Sequence, residues 1–137
     1  MIGWLYRAAD LLRRRTLAGN HGRIGEDLAF RYLRGHGCTV VARNYVARSG
    51  AGEIDLVAWE SGSLVFVEVK TRSSADFGAP DASVDREKQR RIAIAAREYG
   101  RRAQVEEARM RFDIVSVMLA NPPQISWRRD AFHVRDI

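Results

Sequence analysis

Apolar residues recur along this chain with two different periods, and the switches between them divide it into elements. Trp4, Leu5, Ala8, Ala9, Leu11 and Leu12 share one face at helical spacing, with Arg7, Arg13 and Arg14 largely off it. The pattern predicts an amphipathic, basic helix over about residues 3 to 15. TLAGNHG loosens the chain, and Ile24, Leu28, Ala29, Tyr32 and Leu33 then mark a second helix from about Gly22 to Arg34, ended by Gly35-His36-Gly37. Thr39 to Tyr45 reads as a strand. A loop of small residues, ARSGAG, leads into GEIDLVAWESGSLVFVEVKTR, residues 52 to 72, which reads as two apolar strands around a Ser-Gly turn.

After the polar stretch SSADFGAPDAS, a long helix spans about Asp85 to Ala103, with Ile92, Ala95, Ala96 and Tyr99 turned to a core. A fourth strand, RFDIVSVML, starts near Arg111, and a shorter fifth, QISW, follows Pro122-Pro123 and precedes a tail containing AFHV. The order predicts an α/β domain: a mixed central β-sheet flanked by helices. No internal repeat or low-complexity segment interrupts it.

Two carboxylates break the hairpin's apolar pattern. In the third strand Leu64, Phe66, Glu68, Lys70 and Arg72 share one face and Val65, Val67, Val69 and Thr71 the other, so the strand is central and Glu68 is sheltered. A hairpin closed about Ser61-Gly62 pairs residues whose numbers sum to 123, which sets Asp55 opposite Glu68 and Glu53 opposite Lys70. Cross-strand partners have Cβ atoms about 4.5 to 5.5 Å apart, and two bare carboxylates at that range repel. Lys70, about 6.6 Å along the face from Glu68, supplies part of the missing charge. Paired hard oxygen ligands are also what Mg²⁺ or Mn²⁺ selects. The plainer alternative is a solvated charge ladder, Glu53 with Lys70 and Asp55 with Arg72. A third carboxylate, Glu26, projects between Leu33 and Phe30 on the second helix, inside its apolar arc, and needs a cation, hydrogen-bond donors or the helix dipole.

Composition narrows the partner. The 137 residues, 15.5 kDa, make one domain, and 23 Lys plus Arg against 17 Asp plus Glu leave a net charge of +6. That excess suits a polyanion, nucleic acid or an anionic membrane surface. The single cysteine, Cys38, has no disulfide partner and reads as a small buried side chain. No secretory signal pattern and no run near the roughly 20 apolar residues of a membrane span is present, so a cytoplasmic protein without obligate membrane association is expected. His21, His36 and His133 are too scattered to form a ligand motif, and the sequence assigns them no chemistry.

Gly25-Glu26 opening a helix, GEIDLV with Asp55, and FVEVK with Glu68 and Lys70 together resemble the PD-(D/E)xK nuclease superfamily, in its branch near archaeal Holliday-junction resolvases. More closely, GEDLAFRYL, ARNY, GEIDLVA, VFVEVKTR, the Val84 to Tyr99 helix and RFDIV resemble the YraN-like family of bacterial proteins, over about residues 20 to 137. The resemblance implies a restriction-endonuclease-like α-β-β-β-α-β core. It further implies a site in which Asp55, Glu68 and the Val69 carbonyl bind Mg²⁺ or Mn²⁺, Glu26 completes the acidic cluster, and Lys70 positions the attacking water. Residues 1 to 19, the basic amino-terminal helix and linker, lie outside it.

The expectation is a metal-dependent endonuclease hydrolysing phosphodiester bonds of nucleic acid, DNA foremost, with branched DNA suggested only by the resemblance to the resolvases. The alternatives are a noncatalytic module that binds nucleic acid or a partner protein on the same fold, and a membrane-surface adaptor using the first helix. On the helix that follows the active-site strand, Lys88 and Arg91 lie about 60° apart and are the expected phosphate contacts, with Gln89 added by the resemblance. A homodimer stays open.

Overall fold

The structure is a computed structural model and describes residues 21–73 and 84–133. The expected amphipathic helix over residues 3 to 15, and the boundary between residues 19 and 20, lie outside the described residues. Two helices and five strands are seen: α1 (His21–Gly35), β1 (Thr39–Val46), β2 (Glu53–Glu60), β3 (Ser63–Ser73), α2 (Arg86–Ala103), β4 (Met110–Leu119) and β5 (Gln124–Phe132). The strands form one sheet in chain order, antiparallel except for the β3–β4 pair, which is parallel. A parallel pair needs a long crossover, and α2 lies within it. The α-β-β-β-α-β order expected from the sequence is therefore the observed one, on a mixed sheet.

Each face of the sheet buries its own core. Val57, Leu64, Phe66, Phe112 and Ile114 pack with Ile92, Ala95 and Ala96 of α2. Leu56, Ala58, Val65, Val67, Val115 and Val117 pack with Ala29 and Leu33 of α1, where Cys38 is also buried. The alternation in β3 thus divides its side chains between two helices, which makes it a central strand. On the α2 face an aromatic row crosses the sheet, Tyr45 to Tyr99 to Phe66 to Phe112 to Phe132, with successive ring centroids 5.1, 6.0, 5.5 and 4.9 Å apart. No described helix is long and apolar enough to cross a membrane.

The β2–β3 hairpin closes through Ser61 and Gly62, both with positive φ (48° and 83°), the conformation that matches the twist of its strands. Its register runs from Glu60↔Ser63 to Leu56↔Val67, the expected sum of 123, and regular pairing stops there. Ile54 and Val57 contribute to the same core although residues three apart should face opposite ways, so β2 departs from simple alternation around Asp55. The fifth strand is longer than expected. It continues through Arg128–Phe132 because Asp130 adopts φ 54° where the pairing with β4 shifts, which hides the strand from a period-two reading.

At the hairpin end of the sheet sits an ion-pair network. Arg111 reaches Glu60 at 2.6 Å and Asp113 at 2.8 Å, and Arg129 reaches Glu60 at 2.9 Å. Asp113, fully buried, also accepts from the Trp127 indole N–H at 2.8 Å and the Asp130 amide at 2.9 Å. Hydrogen bonds from Arg129, and then from Arg111, overcome burial and hold the Glu60 carboxyl at about 2, against an ordinary 4.5. A depressed carboxyl stabilises the fold above its unfolded value and loses that contribution as pH falls through its folded value. Wild type should therefore lose on the order of 2 kcal/mol between about pH 5 and pH 2 from this group, a figure reduced for the solvent beside half-exposed Arg129. Denaturant melts of wild type and Glu60→Gln across that window test it: the gap between them should close as the pH drops.

Candidate active site

The other end of the β2–β3 hairpin holds the carboxylates. With pairing ended at Leu56↔Val67, the Val69 amide needs another acceptor, and it donates a hydrogen bond to Asp55 Oδ2 at 2.8 Å. A side chain thus replaces a ladder carbonyl. Glu68, one residue earlier in β3, is buried at 6% exposure and points to the α2 face, where the Lys88 ammonium forms an ion pair with it. The Lys88 backbone is fixed in turn, since its amide donates to the N-cap Asp85 carboxylate at 2.8 Å.

Glu26 arrives from the opposite layer. Gly25 is what allows it: a Cβ there would lie 1.9 Å from Thr71 Oγ1 and 2.9 Å from Thr71 Cβ, so only glycine lets α1 press against β3 at this level. The second Gly-Glu pair in the sequence uses the same device, because a Cβ on Gly52 would lie 1.9 Å from the Arg91 carbonyl oxygen of α2. Both helices therefore meet the sheet at glycines beside the acidic residues.

These approaches enclose one cavity of about 440 Å³ lined by Glu26, Asp55, Glu68, Val69, Lys88 and Arg72, together with His21, Gly22, Thr71 and Ser73. Burial and then the neighbouring Glu68 charge push the Asp55 carboxyl well above the usual carboxylate range; Glu26 adds to the push, and the Val69 amide and Lys88 oppose it. Burial works against the Lys88 ammonium, but Glu68 first, then Asp55 and Glu53, outweigh it and hold that amine above its ordinary value. The expected crowding of negative charge is present, and a cation from α2 relieves it.

Family comparison settles the chain's relatives. A model described as "Uncharacterised protein family UPF0102" matches residues 25–117, and a UPF0102 protein of Solibacter usitatus is 65% identical over 132 residues, 96% of this chain and all of the relative. The chain belongs to the UPF0102 family. UPF0102 proteins of Rhodococcus opacus (47% identical, 81% of this chain, 94% of the relative) and Koribacter versatilis (43% identical, 81% and 78%) are also similar. The UPF0102 match begins at Gly25, the glycine that seats Glu26, and runs through Asp55, Glu68, Lys70 and Lys88 into β4.

Of the residues singled out from sequence, the fold brings Glu26, Asp55, Glu68, Val69 and Lys88 to this cavity. Lys70 is half-buried, paired in register with Ser116 of β4, and is not among the described residues lining the cavity. The Gln89 side-chain amide donates to the Val84 carbonyl at 2.7 Å and so braces the start of α2. Arg91 is exposed. His21 went unread because α1 starts one residue earlier than its pattern predicts, which carries the imidazole from a loop to the cavity wall. Thr71, Arg72 and Ser73 line the wall from the end of β3, where apolar alternation has already faded. His36 instead stacks on Tyr32, with ring centroids 4.0 Å apart, and His133 lies 3.5 Å from Asp130.

The three carboxylates in the lining, Glu26, Asp55 and Glu68, are hard oxygen donors of the kind a divalent cation selects. Asp55 spends one carboxylate oxygen on the Val69 amide and keeps the other. Among the described residues no three acidic, imidazole or thiol side chains converge to ligand spacing.

Proposed function

We propose that this protein is a metal-dependent nuclease of the PD-(D/E)xK type, acting on nucleic acid and on DNA first. The observation that carries the reading is the juxtaposition of half-buried Asp55 and buried Glu68 where β2 and β3 part, with Glu26 brought to the same cavity from the facing helix. Like charges gathered at that cost to stability need a chemical reason. Asp55, Glu68 and the Val69 carbonyl would hold Mg²⁺ or Mn²⁺, which supplies a lowered water pKa and neutralises charge on a phosphoryl oxygen.

The chain's own residues do the rest. The Val69 amide fixes the Asp55 carboxylate in one rotamer, so a ligand oxygen is preorganised. Glu26 bounds the cavity on the α1 side and can accept a hydrogen bond from a water placed there. Arg72 and Lys88 line the same cavity and offer positive charge to a phosphodiester, in keeping with the chain's net +6. The resemblance gives Lys70 the role of orienting the attacking water, which needs its side chain to reach the cavity whose lining it does not join in this arrangement.

The alternative, a noncatalytic nucleic-acid-binding module, draws on one observation: Lys88 already satisfies Glu68 without an ion. Cleavage assays with Mg²⁺ and Mn²⁺ on single-stranded, duplex, flapped and four-way DNA separate the two. Turnover that needs the ion supports the nuclease; salt-dependent binding without turnover supports the module. Lys70→Met is expected to bind Mn²⁺ as wild type does and to cleave about 10²-fold more slowly, and an unchanged rate would take Lys70 out of the mechanism.

A further inference from the structure

Lys88 and Glu68 are unequal partners. Glu68 is held inside the domain at 6% side-chain exposure, whereas the Lys88 side chain is 42% exposed and reaches in from α2. The carboxylate cannot leave without moving a central strand. The ammonium can, because a lysine stem has four rotatable bonds and the Lys88 backbone is anchored separately by Asp85. Buried Glu68 and half-buried Asp55 share one cavity as like charges, which a positive charge relieves, and in this arrangement the protein's own amine provides it.

We infer that Lys88 is a built-in counter-ion, one that a divalent cation must displace from Glu68 and that is thereby released towards the phosphate of a bound nucleic acid. The inference rests on the metal-site reading above and adds a competition to it. An ammonium and a dication on one sheltered carboxylate repel each other at short range, so gaining one loosens the other. The fold then stays intact before the ion arrives, at the expense of ion affinity. The same side chain turns from a partner of the carboxylate into a cation facing substrate, one helical turn from exposed Arg91.

Titration calorimetry with Mn²⁺ alone, no nucleic acid present, is the test. Lys88→Met should bind Mn²⁺ at least about fivefold more tightly than wild type, the low end of a typical coupling between two sites, and Lys88→Arg should stay closer to wild type. Without Mn²⁺, Lys88→Met should melt at a lower temperature than wild type, and saturating Mn²⁺ should raise its melting temperature by the larger amount. A second measurement needs no variant: acetylation of Lys88 by an amine reagent, read by mass spectrometry, should speed up when Mn²⁺ is added to the wild-type protein. Equal or weaker Mn²⁺ affinity in Lys88→Met, or Lys88 labelling indifferent to Mn²⁺, overturns the competition and leaves the metal site standing. Absence of Mn²⁺ binding in both wild type and variant overturns the metal site, and the competition with it.

Discussion

Asp55→Asn is expected to lose Mn²⁺ binding and ion-dependent cleavage, by at least about 10²-fold, while making the ion-free protein more stable at neutral pH. The two effects have one cause. Burial and the Glu68 charge raise the Asp55 carboxyl well above its ordinary 3.8. A group raised in the folded state contributes stability below its unfolded value and loses it as pH rises through the folded one, so Asp55 costs the native protein stability at pH 7. Asparagine does not titrate and still offers a carbonyl oxygen to the Val69 amide. Each kcal/mol of relief corresponds to roughly 3 to 4 °C in melting temperature for a domain of this size. The gain should shrink as the pH falls and vanish below about 3.8, where wild type carries a neutral carboxyl too. Thermal melts across pH, run beside Mn²⁺ calorimetry, check both halves. A variant that is less stable at pH 7 and unaltered in ion binding would show that the carboxylate is structural.

Gly25→Ala is expected to cost stability and activity together, in a helix where alanine would otherwise be favoured by about 1 kcal/mol. Thr71 is β-branched and stiff at χ1, so a methyl 1.9 Å from its hydroxyl and 2.9 Å from its Cβ cannot be accommodated by rotating one side chain. The helix must lift off β3, at the roughly 1 to 3 kcal/mol typical of overpacking. Lifting α1 withdraws Glu26, the next residue, from the cavity, and a displacement near 1 Å can slow a positioned reaction by about 10². Thr71→Ala should recover part of the stability when added to Gly25→Ala, although on its own it removes side-chain contacts from a paired strand. A double-mutant cycle by denaturant melts measures that coupling, and additive effects would mean that the two residues do not press on each other.

What the sequence determined by itself was whatever depends on spacing along one element. The two-period pattern is local, so it placed five strands and both described helices; the Ser-Gly turn set the hairpin register, because a two-residue loop leaves one way to pair. Asp55 and Glu68 were legible because their charge stands out against apolar neighbours and the register points them at each other, although the expected Asp55–Glu68 and Glu53–Lys70 pairs are not formed, since pairing stops one step short at Leu56↔Val67 and Asp55 takes the Val69 amide instead. Glu26 was legible as a carboxylate inside an apolar arc. Tertiary structure decided what crosses between elements. Only the packing of α2 against β3 shows that Lys88 partners Glu68, since the two lie 20 positions apart across a parallel crossover that leaves no periodic trace of the contact. Only the close approach of α1 shows why glycine precedes Glu26, because the requirement comes from Thr71, a residue of another strand. The departure from alternation at Asp55 belongs to the same class: a side chain took over a backbone hydrogen bond, and a pattern that counts hydrophobic positions cannot register which atom accepts it.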